Sequence, residues 1–286
     1  MEEDVSSQTT SASDAASAPV APAGELRLHE FQSRIFRNTR MLRVWLPPGY
    51  GDRENEGRRY PVFYLNDGQN LFDPATAYIG VDWQVGETAA RLIAEGRVPP
   101  LIIVGIDNAQ KDRPKEYLPY RSMYPPVLRP QGKRYPDFLL DEVVPFIEQR
   151  YRVVGGPENT GLGGSSLGAI ISLFTVMDRP GIIGRLLLES PSLFISNRQV
   201  LKSSGGFRQW PARVFMAMGT RESGNPDRDR QVVDDFRQLE HNLRHSGMGD
   251  DRLLVKIDEG ATHNEREWAK RFPEALEFLF GTPLTS

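Results

Sequence analysis

The 286-residue chain contains no cysteine and only four histidines. The absence of cysteine excludes disulfides, thiolate metal sites and cysteine nucleophiles. The chain also lacks a strong excess of either charge, since its formal net charge is -3 and its isoelectric point is near 5.9. Without a basic surface to attract polyanions, we expect neither a nucleic-acid partner nor binding to an anionic membrane.

The N-terminal residues 1–24 lack any long apolar run. They are rich in serine, alanine, threonine and proline and begin with acidic residues. We therefore expect a disordered tail without a signal peptide or a membrane span, and a cytoplasmic protein. Residues 25–286 are numerous enough to bury one large core, so we expect them to form a single domain.

Strand-like and helix-like segments alternate along residues 26–280. The predicted strands have nearly continuous or alternating apolar residues and comprise Leu26–Ser33, Met41–Leu46, Tyr60–Asn66, Leu101–Asp107, Gly161–Ser165, Arg185–Glu189, Val214–Gly219 and Leu253–Asp258. The predicted helices have apolar residues at a spacing of about 3.6 and comprise Val85–Glu95, Pro136–Tyr151, Leu167–Asp178, Val232–Ser246 and Glu265–Phe280. This alternation predicts an α/β fold with a mostly parallel eight-stranded sheet and helices on both faces. The segment 192–211 is too short for a large lid domain.

The segment Gly164–Gly168 lies between a predicted strand and a predicted helix. It fits the pattern Gly-x-Ser-x-Gly with Ser166 at its centre. In such a sharp strand-to-helix turn, the glycines allow the two elements to approach closely, and the serine hydroxyl projects above the sheet. The pattern also arises by chance in unrelated loops, so its weight depends on the residues that follow the other strands. Parallel sheets bind their ligands beyond the carboxyl ends of the strands.

A serine hydroxyl is a weak nucleophile near neutral pH and needs a base within hydrogen-bond reach. Among the four histidines, His29 lies in the first predicted strand, and His241 and His245 lie on a charged helix. His263 follows the last predicted strand, where the base belongs when nucleophile, acid and base occur in the chain order serine, acid, histidine. We therefore predict His263 as the base, with a loop or helix-capping role as the alternative.

The acid that orients His263 should follow the predicted strand Val214–Gly219. Glu222 and Asp227 are the two candidates. We favour Glu222, because a residue close to the strand end is held more rigidly than one beyond a Gly-Asn-Pro turn. Asp227 stays the alternative, although capping of the following helix would explain it equally well.

Negative charge on a reacting ester oxygen requires preorganised hydrogen-bond donors. We predict the backbone amide of Leu167, directly after the serine, and the backbone amide of Gln69, in the turn after the strand Tyr60–Asn66. Gly68 would allow this turn to approach the substrate closely. The alternative interpretation is that Asp67-Gly68 forms an ordinary turn that only redirects the chain.

The connection 108–135 shows no clear secondary-structure pattern, yet it is rich in aromatic and charged residues. A loop of this length in a compact domain is typical of a functional segment or of disorder. We predict that Asn108, Glu116, Tyr117 and Tyr120 bind the substrate. Trp268, on the last helix, either borders the same pocket or packs in the core.

Neither a metal nor a cofactor is predicted. His241 and His245 have the i,i+4 spacing of zinc ligands but lack a matching third ligand. The oxygen-bearing side chains of residues 66–73 lack the twelve-residue spacing of a calcium-binding EF-hand loop. We therefore expect a reaction carried by side chains and backbone amides alone.

Five segments of the chain together resemble the putative esterase family, namely Tyr64–Asp73, Gly105–Asn108, Glu116–Pro119, Gly164–Gly168 and Gly260–Asn264. This family is the esterase D and enterochelin-esterase-like branch of the α/β hydrolases, which includes feruloyl and acetylxylan esterases and mycolyltransferases. The resemblance extends over residues 26–280. It implies the α/β-hydrolase fold and a site made of Ser166 as nucleophile, Glu222 as acid, His263 as base, and Gln69 and Leu167 as oxyanion donors.

The leading hypothesis is a serine carboxylic-ester hydrolase that forms an acyl-enzyme on a small-molecule ester, with carbohydrate, feruloyl and siderophore-type esters as candidates. An acyltransferase with the same triad is the alternative, and a catalytically silent binding domain is a hypothesis of another class. Leu118-Pro119-Tyr120 departs from the Thr-Pro-Trp of many relatives, so the resemblance implies no particular acyl or sugar specificity. The sequence is compatible with a monomer or a homo-oligomer.

Overall fold

A computed structural model of the protein describes residues 23–281. The predicted disordered tail, residues 1–24, lies outside the described residues except for its last two positions. Gly24 packs against the domain, because a Cβ atom there would lie 2.3 Å from Cε2 of Trp45.

The strands are β1 (Glu25–Ser33), β2 (Asn38–Leu46), β3 (Val62–Asn66), β4 (Ile102–Ile106), β5 (Ser122–Met123), β6 (Pro126–Val127), β7 (Thr160–Ser165), β8 (Arg185–Glu189), β9 (Arg213–Arg221) and β10 (Leu253–Thr262). Eight of them form one sheet in the order β1, β2, β4, β3, β7, β8, β9, β10, and β5 and β6 form a separate hairpin. The pairs β1 with β2 and β2 with β4 are antiparallel, whereas the other pairs of the large sheet are parallel. The predicted mostly parallel eight-stranded sheet is confirmed.

The helices are α1 (Val85–Ala94), α2 (Arg113–Tyr117), α3 (Tyr135–Asp137), α4 (Val144–Glu148), α5 (Leu167–Asp178), α6 (Ile195–Ser204), α7 (Pro226–His245) and α8 (Glu265–Phe280). A π-helical turn at Phe138–Val143 joins α3 to α4. Helices α1 and α8 pack on one face of the sheet, and α2 to α7 pack on the other. Within residues 23–281, no helix combines the length and the apolar character needed to cross a bilayer.

The two covered faces explain the nearly continuous apolar runs of the central strands. In β3, Val62 and Tyr64 pack on the face of α5, whereas Phe63 and Leu65 pack on the face of α8. All four residues are at most 1 % exposed. Because successive side chains of a strand point to opposite faces, a strand covered on both sides needs apolar residues at every position. Polar residues are therefore concentrated just beyond the strand ends, where the candidate site residues lie.

The connection 108–135 contains secondary structure, contrary to the expectation from the sequence. It contains α2, the β5–β6 hairpin and short 3₁₀ turns at Gln110–Asp112 and Gly132–Arg134. These elements are only two to five residues long. They are too short to produce a recognisable apolar period in the sequence.

Helices α6 and α7 also differ from the predictions. Helix α6 was not predicted. Its residues 196–198 have φ angles between 54° and 59°, so a left-handed turn interrupts the helix and leaves a short regular part. Helix α7 begins at Pro226 instead of the predicted Val232. The side chain of Asn225 caps it by accepting hydrogen bonds from two first-turn amides, both at 3.1 Å. The first turns of α7 are polar, so apolar periodicity does not mark them.

Candidate active site

Ser166 occupies a sharp turn between β7 and α5. Its φ and ψ are 56° and -120°, a backbone conformation that is strained for a residue with a side chain. A Cβ atom at Gly164 would lie 3.0 Å from Cβ of Asn66, and one at Gly168 would lie 2.9 Å from Oδ2 of Asp67. Both glycines therefore allow the close packing that keeps the strained serine in place.

Glu222 and His263 follow the neighbouring strands β9 and β10, and their side chains meet. Nδ1 of His263 forms a hydrogen bond with Oε2 of Glu222. The other carboxylate oxygen, Oε1, accepts hydrogen bonds from the backbone amide of Gly219 at 2.6 Å and from Oγ of Ser190 at 2.8 Å. The Glu222 side chain is 4 % exposed and that of His263 is 30 % exposed. The carboxylate of Glu222 is thus buried, whereas the imidazole of His263 reaches the solvent-accessible cleft.

Asp227, the alternative acid, lies elsewhere. It is in the first turn of α7, its side chain is 85 % exposed, and it forms an ion pair with Arg230. Asn225, and not Asp227, supplies the cap of this helix. The structure therefore brings Glu222 to His263 and leaves Asp227 on the surface.

Ser166 and His263 line the same cleft, which has a volume of about 510 Å³. Oγ of Ser166 lies 3.2 Å from Oγ of Ser192, with which it forms a hydrogen bond. A rotation about χ1 of Ser166 would move its Oγ away from Ser192. Within residues 23–281, no hydrogen bond joins the side chains of Ser166 and His263.

The turn after β3 is clamped into position by side chains of a distant segment. Asp67 has a φ of 60°, and its carboxylate accepts hydrogen bonds from Nε and Nη2 of Arg113 at 2.7 and 2.8 Å and from Nδ2 of Asn108 at 2.6 Å. Gly68 lies against β4, since a Cβ atom there would lie 2.6 Å from the carbonyl carbon of Gly105. Oε1 of Gln69 accepts a hydrogen bond from the amide of Asn108 at 3.2 Å. The backbone of this turn is therefore held rigidly beside the cleft.

Gln69 and Leu167, the predicted oxyanion donors, belong to two turns that pack against each other. Nδ2 of Asn66 donates to the carbonyl of Gly168 at 3.2 Å, which ties the end of β3 to the first turn of α5. Leu167 is the first residue of α5, so its amide has no acceptor within the helix. Gln69 lines the cleft beside Ser166.

The predicted substrate-binding residues divide into two groups. Asn108 and Trp268 line the cleft, and Trp268 also packs in the core with Trp83 at a ring distance of 5.7 Å. Glu116, Tyr117 and Tyr120 are not among the residues described along the cleft wall.

The three residues outside the wall have other partners. Both carboxylate oxygens of Glu116 are bound 2.7 Å away, one by Asn38 and the other by Arg40. Tyr117 is fully buried, and its hydroxyl accepts a hydrogen bond from the amide of Asp67 at 3.3 Å. The ring of Tyr120 packs edge-on against Phe174, with centroids 6.1 Å apart. The segment 116–120 supports the walls of the site from behind.

Several residues of the site were not predicted. Ser190 follows β8 directly and Ser192 lies two residues further on, and this position beyond a strand end is the signal that could have found them. Glu265, the first residue of α8, lines the cleft and is 5 % exposed. Burial raises the pKa of its carboxyl above the usual value. The ion pair of Asp67 with Arg113 was also not predicted, because no sequence pattern relates the two positions.

The remaining histidines lie away from the cleft. Nε2 of His29 is hydrogen-bonded to the hydroxyl of Tyr151 at 2.6 Å, and His241 and His245 stack on α7 with centroids 5.9 Å apart. Across residues 23–281, no group of three or more histidine, aspartate or glutamate side chains is arranged to hold a metal ion.

The strand order, the strained serine after β7 and the helices on both faces define the α/β-hydrolase fold. Within that class, the sequence pattern of the family described as "Putative esterase" matches residues 33–279. The chain belongs to this family, as its motifs predict.

Individual relatives agree with this membership. An uncharacterised protein of Bacillus subtilis, YbbA, is 26% identical over 269 residues, which cover 90% of this chain and 97% of that protein. A siderophore hydrolase from Aspergillus nidulans has a similar structure, with a TM-score of 0.69 and 18% identity over 96% of this chain and 100% of that chain. A ferulic acid esterase from Anaeromyces mucronatus has a TM-score of 0.66 and 21% identity over 92% of this chain and 93% of that chain. At these identities, the structural likeness establishes the fold.

Proposed function

We propose that the protein is a serine carboxylic-ester hydrolase that acts through a covalent acyl-enzyme. The observation that carries the proposal is the hydrogen bond between the buried side chain of Glu222 and His263, which lines one cleft together with the strained Ser166. A binding domain without catalysis would have no use for a buried carboxylate directed at an imidazole. Membership of the esterase family supports the same conclusion.

In the first half of the proposed cycle, the ester is cleaved. Ser166 turns away from Ser192 and gives its proton to Nε2 of His263 as Oγ attacks the ester carbonyl carbon. The amides of Gln69 and Leu167 bind the resulting oxyanion, each contributing about 3 kcal/mol to transition-state stabilisation. When the C–O bond to the alcohol breaks, His263 returns the proton to the alcohol oxygen, and the acyl group stays on Ser166.

In the second half, water replaces the alcohol. His263 takes a proton from the water as its oxygen attacks the acyl carbon, and collapse of the second oxyanion releases the acid and restores the hydroxyl of Ser166. Glu222 remains ionised throughout. It holds the Nδ1–H of His263, so that Nε2 is available as the acceptor, and it stabilises the imidazolium that forms in both halves.

The proposed substrate is an ester of a small or medium acid. The cleft volume of about 510 Å³ lies within the usual range of small-molecule sites. Relatives named as a siderophore hydrolase and a ferulic acid esterase make siderophore-type and feruloyl esters the first candidates. The proposed cycle requires only protein groups and water.

Covalent labelling and an ester panel together test the proposal. A fluorophosphonate should label Ser166 in the wild-type protein and leave Ser166→Ala unlabelled, and the panel should range from p-nitrophenyl acyl esters to feruloyl sugars and catecholate siderophores. We expect turnover of at least one ester by the wild-type protein and none above background by Ser166→Ala. A folded protein that is neither labelled nor active would contradict the proposal, and dominant transfer to an added alcohol would favour an acyltransferase.

A further inference from the structure

Ser190 and Trp268 lie behind the proposed acid and base, in places that the cycle above leaves without a role. Ser190 directly follows β8 and is buried. Its Oγ lies 2.8 Å from Oε1 of Glu222 and 3.0 Å from Nε1 of Trp268. The backbone of Ser190 has a φ of 41°, and its amide donates to the carbonyl of Ala217 at 2.7 Å. The hydroxyl is therefore presented from a strained and firmly held position.

The chemistry of the three groups sets the direction of both hydrogen bonds. An indole N–H can only donate, and an ionised carboxylate can only accept. Oγ of Ser190 must therefore accept from Trp268, and its single proton points at Glu222. Together with the amide of Gly219, this hydroxyl occupies Oε1 and leaves Oε2 for His263.

Trp268 contacts His263, the proposed base, as well as Ser190, which donates a hydrogen bond to Glu222. The rings of Trp268 and His263 lie edge-to-face, with centroids 5.1 Å apart and planes at 86°. Trp268 is 4% exposed, so its ring cannot move freely. The indole therefore contacts the imidazole directly and the carboxylate through one hydroxyl.

We infer that Ser190 and Trp268 are positioning residues of the triad. Trp268 orients the hydroxyl of Ser190, and this hydroxyl holds Glu222 in the rotamer that faces His263. The inference rests on the proposed function. Ser190 is absent from the described cleft wall, so its removal should act on the chemical step and not on substrate binding.

The test compares kcat and KM for Ser190→Ala, Trp268→Phe and the double variant on an ester from the panel. We expect Ser190→Ala to lower kcat about tenfold and Trp268→Phe to lower it about fivefold, because a hydrogen bond to a charged group is worth more than one between neutral groups. KM of Ser190→Ala should stay within about twofold of the wild-type value. Trp268→Phe keeps an aromatic ring at this position and removes the N–H that acts through the hydroxyl of Ser190, so the double variant should be slower than Ser190→Ala by less than about twofold.

Two matched variants serve as controls. Ser204 is a buried serine at the end of α6 whose Oγ donates to the carbonyl of Leu201 at 2.7 Å, and it is not among the residues that line the described cleft. Trp83 is a buried tryptophan that packs on Trp268, and its Nε1 has no partner among the described residues. Ser204→Ala and Trp83→Phe should keep kcat within about twofold of wild type, and thermal melting should show that every variant is folded.

The inference is overturned if folded Ser190→Ala keeps its full kcat, if the two effects multiply in the double variant, or if the control variants lose as much. If Ser190→Ala does not fold, the comparison of Trp268→Phe with Trp83→Phe decides. Ser166→Ala in the same assay separates the two claims. An active Ser166→Ala refutes the proposed function, whereas an inactive Ser166→Ala beside a fully active Ser190→Ala refutes only the positioning role.

Discussion

The surroundings of Glu222 dictate how an amide would lie in its place, and this makes Glu222→Gln a severe substitution. Oε1 of Glu222 accepts hydrogen bonds from the amide of Gly219 and from Oγ of Ser190. In the variant, the carbonyl oxygen of glutamine must take this position, because an NH2 group would face two donors. The amide nitrogen is then directed at Nδ1 of His263.

This orientation forces the imidazole into the wrong tautomer. A glutamine NH2 group donates, so Nδ1 must accept, and the proton of neutral His263 moves to Nε2. Nε2 then cannot take the proton of Ser166. We expect kcat of Glu222→Gln to fall about 10⁴-fold, the magnitude known for the equivalent change in a serine protease triad. Glu222→Ala leaves the tautomer free, so we expect it to retain more activity than the isosteric variant.

The measurement is steady-state hydrolysis of p-nitrophenyl acetate, with thermal melting of each variant to confirm folding. Glu222→Ala should melt at a lower temperature, because it leaves two buried donors without an acceptor at about 1–3 kcal/mol each. The control is Asp227→Asn on the surface of α7, which should stay within about twofold of wild type. Retention of a tenth of the wild-type kcat by Glu222→Gln, or a matching loss in Asp227→Asn, would refute the reasoning.

Two further predictions concern the turn after β3, which carries the proposed oxyanion donor Gln69, and the buried carboxyl of Glu189 at the end of β8. In Gly68→Ala, a Cβ atom would lie 2.6 Å from the backbone of Gly105, so the turn must shift and kcat should fall at least tenfold. Gly57→Ala, with no atom within 4 Å of the added Cβ, is the control, and equal kcat values for the two variants would contradict this. Burial raises the pKa of Glu189 from 4.5 to about 8 although Arg271 opposes the shift. Between these two pH values, the folded state therefore keeps a proton on Glu189 that the unfolded chain releases. The melting temperature should therefore fall as the pH rises from 4.5 to about 8, and it should fall less in Glu189→Gln. An equal fall of the melting temperature with pH in the two proteins would contradict this.

The centre of the sheet was predictable from the sequence because its strands are buried on both faces. Arg185–Glu189 was predicted with the bounds that β8 has, since its apolar run is flanked by turn residues. Helix α2 and the hairpin of β5 and β6 were not predicted, because elements of two to five residues have no period. In α6, only residues 199–204 follow the left-handed turn 196–198, and this part is also too short to show a period.

The candidate site was predictable where it depends on chain order and not where it depends on side-chain contacts. Ser166, Glu222 and His263 each follow a strand of the sheet, and parallel strands bring such positions to one edge. The ion pair of Glu116 with Arg40 joins residues 76 positions apart, and no periodicity encodes such a pairing. For the same reason, a charged residue in a long loop was predicted to face the substrate although it is bound inside the protein.

Helix α8 carries its part of the site on one rigid element. It begins just after His263, holds Trp268 and Arg271 one turn apart, and packs on α1 and β9. His263 lies two residues before α8, so displacement of this helix would move the proposed base away from Glu222. In the proposed enzyme, a nascent or refolding chain therefore stays inactive until this one helix docks. The recovery of ester hydrolysis during refolding would then report when α8 docks on α1 and β9.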